Sequence, residues 1–129
     1  MIRTRVKFEA AHRQLGDKGK CGFLHGHRWM GEIEIDGKIN DIGYIVDFKE
    51  LKEIVEPMDH AVILNEDDKL VNILREHKQK VYTLYGNPTC ENLANHILDI
   101  IIETYCNVTY CSVKIWETED SWAQSTTKI

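Results

Sequence analysis

Ile2-Arg3-Thr4-Arg5-Val6-Lys7-Phe8-Glu9-Ala10 alternates without a break. Ile2, Thr4, Val6, Phe8 and Ala10 share one side of an extended chain, and Arg3, Arg5, Lys7 and Glu9 share the other. A period of two marks a half-buried antiparallel strand, with one face on a core and the other in water. A second such stretch runs from about Trp29 to Gly37, where Glu32 and Glu34 alternate with Ile33 and Ile35. Between the two, residues 11–26 hold four glycines and read as a loop. That is long for a hairpin connection, and long ordered loops tend to carry function.

Further along, Asp47-Phe48-Lys49-Glu50 has the form of a capping box. Leu51, Ile54 and Val55 follow at helical spacing, and Pro57 ends the helix. Residues 65–80 are crowded with charge, from Glu66, Asp67 and Asp68 to Lys78 and Lys80. Leu70, Ile73 and Leu74 suggest a short helix inside what reads as a solvated surface excursion. Asn87-Pro88-Thr89 opens the next helix, with Asn87 or Thr89 as the cap and Pro88 in the first turn. Leu93, Ile97, Ile100 and Ile101 line one face of it to about Tyr105. Val108 to Glu117 is strand-like, and Glu119-Asp120-Ser121 turns into a last strand from Trp122. The order β-β-α-α-β-β predicts an α+β fold, an antiparallel sheet with two helices on one face.

The chain has 129 residues, 43% of them hydrophobic, with 8 glycines and 2 prolines, enough apolar material for a single domain over 1–129. The net charge of -5 argues against a nucleic-acid partner, which selects a clustered basic face. A local basic pocket on an acidic protein still suits an anionic small molecule. The longest apolar stretch, Ile97 to Ile102, is broken by Asp99 and falls far short of a membrane span. The alternating N-terminus has no apolar signal-peptide core, so the expected setting is cytoplasmic, with Cys21, Cys90, Cys106 and Cys111 as free thiols.

Three of the six histidines fall close together: His12, His25 and His27. In His25-Gly26-His27 both imidazoles point to the same side of an extended chain. Gly26 between them suggests a close approach by a third ligand or a substrate. Three imidazoles with a fourth position open are the ligand set of a catalytic zinc site, although imidazole also suits iron, nickel and copper. Cys21, four residues before His25, reads equally as a fourth ligand, as a nucleophile or base activated by a neighbouring cation, or as an ordinary loop thiol. Cys90, Cys106 and Cys111 read as packing residues. Asp59-His60 places a carboxylate beside an imidazole, which fixes a tautomer only if a turn brings both to one side. His77 and His96 carry no such pattern. Glu117, at a strand end, can receive paired N–H donors from the amidine-like edge of a heterocycle, or can be a plain turn residue.

Taken in order, Phe8-Glu9-Ala10-Ala11-His12, Cys21-Gly22-Phe23-Leu24-His25-Gly26-His27, Gly43-Tyr44-Ile45-Val46-Asp47-Phe48, Met58-Asp59-His60, Asn87-Pro88-Thr89-Cys90-Glu91-Asn92-Leu93-Ala94 and Trp116-Glu117-Thr118 resemble the 6-pyruvoyl-tetrahydropterin synthase family over nearly the whole chain. The resemblance implies the tunnelling fold, homo-oligomers built of trimers that stack as hexamers, and active sites at subunit interfaces. It implies Zn2+ on His12, His25 and His27, a catalytic thiol at Cys21 and proton-relay partners at Asp59 and His60. It implies a pterin-anchoring carboxylate at Glu117, with the backbone at Thr89 and Cys90 helping to hold the ring. Residues 65–85 are longer than in compact members, and nothing transfers onto them. The Cys-x3-His-Gly-His spacing from Cys21 is similar to that of the bacterial and archaeal 6-carboxy-tetrahydropterin synthases, whereas animal biopterin enzymes carry a longer interval. A folate-linked branch has a glutamate near this position, and none stands between Gly16 and His25. The expected activity is therefore conversion of 7,8-dihydroneopterin triphosphate to 6-carboxy-tetrahydropterin, with release of triphosphate and acetaldehyde, in queuosine and 7-deazapurine synthesis. The alternatives are 6-pyruvoyl-tetrahydropterin synthesis and a non-catalytic zinc- or pterin-binding protein.

Overall fold

The first alternating stretch becomes the strand on which the sheet is built. The computed structural model describes residues 1–128. Strand β1 is Ile2–His12 and β2 is His25–Gly37. They pair antiparallel, Phe8 opposite Trp29 and His12 opposite His25. Strand β5, Val108–Trp116, pairs antiparallel with β2, and β6, Trp122–Lys128, with β5. Of the helices, α1 is Phe48–Glu53, capped by the Asp47 carboxylate, which accepts from the Lys49 N–H. Glu50 turns away from that cap and accepts from the Tyr105 hydroxyl instead. The long helix, α3, is Cys90–Thr104, with Thr89 rather than Asn87 as its cap.

The structure corrects the expected sheet. It is mixed, not antiparallel, in the order β4-β3-β1-β2-β5-β6, where β3 is Ala61–Asn65 and β4 is Val81–Leu84. Strand β3 runs parallel to the end of β1, and β4 runs parallel to β3. Helix α2, Leu70–Glu76, connects β3 to β4, so the supposed surface excursion over 65–85 builds one edge of the sheet. The physical reason is burial on both sides. Ala61, Ile63 and Leu64 are all buried, so β3 shows no apolar-polar alternation, and a four-residue apolar run carries no strand signature of its own.

The core follows the sequence pattern closely. Val6, Phe8, Trp29, Ile33, Ile35, Val113 and Ile115 face inward from the sheet, and Leu51 of α1 with Leu93, Ile97 and Ile101 of α3 cover them. These are the two helices expected on one face. Helix α2 adds Val71, buried outside that cluster. Gly31 sits in the middle of the inward row, where a Cβ would come within 2.7 Å of Val6 Cγ2 and 3.2 Å of Ile115 Cδ1. A side chain there would force the Val6 and Ile115 side chains to shift. The outward face is polar and carries cross-strand pairs, Arg3 with Glu34 and Arg28 with Glu9.

Candidate metal centre

The inward row does not stop at the edge of the core. Beyond Phe8 and Trp29, the same face carries His12 on β1 and His27 and His25 on β2, because residues two apart on a strand share a face. Trp29 closes the floor. It stacks parallel to Phe8 with ring centroids 5.9 Å apart, and meets His12 at 4.8 Å and His27 at 5.4 Å, both edge-on. Its indole N–H donates to the Ala10 carbonyl at 3.2 Å, so no polar atom is stranded beneath the histidines.

Two backbone carbonyls aim the rings. His12 Nδ1 lies 2.8 Å from the Pro88 carbonyl, and His25 Nδ1 lies 2.6 Å from the Phe23 carbonyl. A carbonyl only accepts, so each Nδ1 carries the proton and each Nε2 keeps its lone pair. The two Nε2 atoms are 3.1 Å apart. His12 is only 1% exposed. Burial lowers its pKa below the ordinary imidazole value, against the opposing pull of the Pro88 carbonyl and Glu117. The neutral ring that results is the form that binds a cation.

Glu117 joins this group from the end of β5, where its N–H closes the turn to β6 on the Ser121 carbonyl. Glu117 Oε1 lies 2.8 Å from His27 Nε2 and 3.7 Å from His12 Nε2. The donor atoms of His12, His25, His27 and Glu117 all lie within 4.8 Å of one another. A metal at roughly 2.0–2.1 Å from four tetrahedral donors sets them roughly 3.3 Å apart, a value the close pairs here straddle. His27 Nε2 is buried and lacks any hydrogen bond despite the nearby oxygen. The contact is short but badly directed for N–H···O. An orphaned buried nitrogen crowding a carboxylate is what a cation between them requires. The residues present fit a divalent cation.

Cys90, the first residue of α3, lies behind Glu117, with Sγ 3.7 Å from Oε2. Burial pushes its thiol up to about 12, and the charges of Glu117 and Glu91 add to this. It therefore stays S–H and donates to the carboxylate. The Thr89 hydroxyl is committed to its helix, accepting from the Asn92 N–H at 3.1 Å.

The other expected site residues are not gathered here. Cys21 is exposed in a short 3-10 turn, Lys20–Gly22, held by its carbonyl, which accepts from the Gln14 N–H at 2.8 Å. Asp59 and His60 do pair with each other, His60 Nδ1 to Asp59 Oδ2 at 3.0 Å. The turn that this needs comes from His60 itself, whose φ of +59° is left-handed. Asp59 Oδ1 accepts from the Glu9 N–H at 2.9 Å, and that bond, followed by the one from His60, holds its carboxyl below the usual range. Among the described residues, no hydrogen bond or ion pair joins Asp59, His60 or the Cys21 thiol to the histidine cluster. Gly26 also differs from expectation. It is exposed on the face opposite the imidazoles, and a Cβ there would meet only the Ala10 carbonyl at 3.8 Å. Among the described residues nothing crowds it.

The sequence reading missed the supports of the site. Asn87 ties the two loops together, accepting from the Leu15 N–H at 3.1 Å and donating to the Leu15 carbonyl at 2.9 Å. Arg13, next to His12, is clamped to the buried Asp68 with Nε 2.7 Å from Oδ2. Backbone carbonyls carry no sequence signal, and the Arg13–Asp68 pair spans segments whose adjacency depends on the unexpected strand β3.

The model of the family described as 6-pyruvoyl tetrahydropterin synthase matches residues 1–128. The chain belongs to this family. A 6-carboxy-5,6,7,8-tetrahydropterin synthase of Rickettsia felis is 35% identical over 131 residues, covering 93% of this chain and 95% of that protein. A protein of the same name from Rickettsia bellii is 43% identical over 101 residues, 72% of this chain and 73% of that one. The fold matches the structure of a Plasmodium vivax 6-pyruvoyltetrahydropterin synthase, a catalytic residue mutant, with a TM-score of 0.72 at 22% identity, covering 99% of this chain and 98% of that one. The mixed sheet with its helices is thus the tunnelling fold of the 6-pyruvoyl tetrahydropterin synthase family, a family of enzymes. Among the described residues, no helix is long and apolar enough to cross a membrane.

Proposed function

We propose that this chain is a zinc-dependent 6-carboxy-5,6,7,8-tetrahydropterin synthase, a lyase that converts 7,8-dihydroneopterin triphosphate to 6-carboxy-tetrahydropterin, triphosphate and acetaldehyde. The observation that carries the reading is the convergence of three imidazole donors with the Glu117 carboxylate at one spot. The names of relatives 35–43% identical to this chain support the same choice. His12, His25 and His27 hold the cation. A zinc ion held by them would supply a Lewis acid, which makes a hydroxyl of the substrate side chain more acidic.

Glu117 receives the paired N–H donors of the pterin edge, with the backbone at Thr89 and Cys90 beside it, and so directs the side chain toward the histidines. Cys21, as the thiolate, takes a proton from the side chain. His60, held in place by Asp59, handles the second proton. In its own subunit the Asp59–His60 pair faces outward, with the His60 side chain 74% exposed. This supports a homo-oligomer, a trimer or hexamer, in which one copy's pair completes another copy's site. Exposed Phe23, Leu24 and Tyr85 are apolar surface for such contacts. The setting is the cytoplasm and the product is a precursor for queuosine and other 7-deazapurines.

The test is a product analysis. The purified, zinc-loaded protein is incubated with dihydroneopterin triphosphate and the products are identified by mass. A 6-carboxy-tetrahydropterin with acetaldehyde is expected. A 6-pyruvoyl product would keep the site and overturn the branch, and binding without turnover would overturn the enzyme.

A further inference from the structure

Glu117 has two competing claims on it. Oε1 lies within the imidazole cluster, 2.8 Å from His27 Nε2, while Oε2 accepts from the Cys90 thiol at 3.7 Å. Pairing with an amidine-like pterin edge takes both carboxylate oxygens, since two parallel N–H donors need two acceptors. An oxygen that binds a cation gives up part of its charge to it and accepts more weakly from the ring.

We propose that Glu117 is an exchangeable fourth metal ligand, which closes the centre when no substrate is present and leaves it when a pterin edge engages the carboxylate. This rests on the metal and pterin reading above. Four protein donors make a closed centre, and three leave a position free for chemistry. The exchange couples the two. The position opens only for a molecule that carries the paired donors, and the vacated place is where the anchored side chain arrives. Water and unrelated hydroxyl compounds meet a centre already filled by the protein.

The surroundings suit a group that moves between two partners. Glu117 sits at a strand end rather than inside the ladder, and its side chain is 29% exposed, against 1% for His12. It is the more open of the pair it forms with His27, 29% against 20%, and it is reachable from outside where His12 is not. A pocket of about 400 Å³ opens beside it, lined by Lys7, Arg28, Met30, Trp116, Thr118 and Glu119. Cys90 gives the resting position a single long contact, Sγ 3.7 Å from Oε2. Sulfur at that distance is a weak tether, and a pair of N–H donors outcompetes it. His12 and His25, by contrast, are held by the carbonyls of Pro88 and Phe23, and His27 stands inside the β1–β2 ladder, so the carboxylate at the strand end is the member of the set placed to leave.

Cobalt(II) reports the exchange directly, because its visible bands follow the number and kind of ligands. The full-length protein and Glu117→Gln are loaded with Co2+ and their spectra compared. Each is then recorded with saturating pterin, which has the paired edge but no side chain, with occupancy followed separately by equilibrium dialysis. The resting wild type is expected to differ from Glu117→Gln. Its Co2+ affinity is expected to exceed the variant's by at least the roughly 10–100-fold that loss of an outer-shell partner costs. Pterin is expected to move the wild-type spectrum toward that of the variant. Identical resting spectra overturn the proposal, and so does a wild-type spectrum that ignores bound pterin. In either case the metal and pterin sites remain. Failure of the wild type to bind Co2+, or to bind pterin, overturns the function proposed above as well.

Discussion

His12 and His60 are built in opposite ways. The His12 ring is almost wholly enclosed, aimed by the Pro88 carbonyl from one side and floored by Trp29. The His60 ring stands in the open, joined only to the residue before it, and its backbone is held in a left-handed conformation that a non-glycine residue adopts at a cost. The enclosed ring has its geometry set by its own chain. The exposed one takes its surroundings from whatever covers it. One chain therefore holds an enclosed cluster that could bind a cation and, apart from it, an exposed carboxylate–imidazole pair. Such a division suits chemistry performed between subunits.

The sharpest way to break this comparison is to remove one reagent from each side of it. Cys21→Ala is expected to keep stoichiometric metal and lose turnover by at least the ~10²–10⁴-fold of a general base. His12→Ala is expected to lose the metal itself. Metal content by atomic absorption, read beside product formation, separates the two. Loss of metal from Cys21→Ala would make the thiol a ligand and extend the enclosed cluster to include it.

Asp68 tests whether the enclosed side depends on the strand that the sequence did not announce. Its carboxylate is fully buried against Arg13, the residue after His12. Asp68→Asn leaves that guanidinium without its charge partner, a loss of about 3 kcal/mol in urea unfolding at neutral pH. The Arg13 bond holds the Asp68 carboxyl below its usual range, against the opposing effect of burial. A depressed folded value means that the stabilisation is complete above the unfolded value of about 3.9 and is lost as the pH falls through the folded one. The gap between wild type and Asp68→Asn should stay level down to about pH 4 and close below it. A gap that persists in strong acid would trace the loss to packing rather than charge.

What could be read from the sequence divides along the same physical line. The strands β1, β2, β5 and β6 each have one wet face, and the alternation this produces marks them even at Trp122. Strand β3 has no wet face and only five residues, so nothing in Ala61-Val62-Ile63-Leu64-Asn65 separates it from a fragment of buried helix. The three histidines were legible because strand periodicity alone puts His25 and His27 on one side. The place of Glu117 among them was not, since it depends on the register of β5 against β2. The carbonyls of Pro88 and Phe23 were invisible because every residue has one.

The smallest effect bears on that last point. Thr89 caps α3 with a hydrogen bond from the Asn92 N–H, and it directly follows Pro88, whose carbonyl aims His12. Thr89→Ala removes the cap and is expected to cost about 1 kcal/mol in urea unfolding. The carbonyl has other supports. Gln14 donates to it at 3.2 Å, and Asn92 Nδ2 fixes the preceding Asn87 carbonyl at 2.8 Å. If these hold the 87–88 backbone without the cap, the metal affinity of Thr89→Ala matches wild type while its stability falls. A drop in affinity of the roughly 10–100-fold seen on losing an outer-shell partner would instead make the start of α3 part of the metal centre. The aim of His12 would then depend on a helix that starts just past Pro88, 76 residues away in sequence, rather than on the strand that carries it.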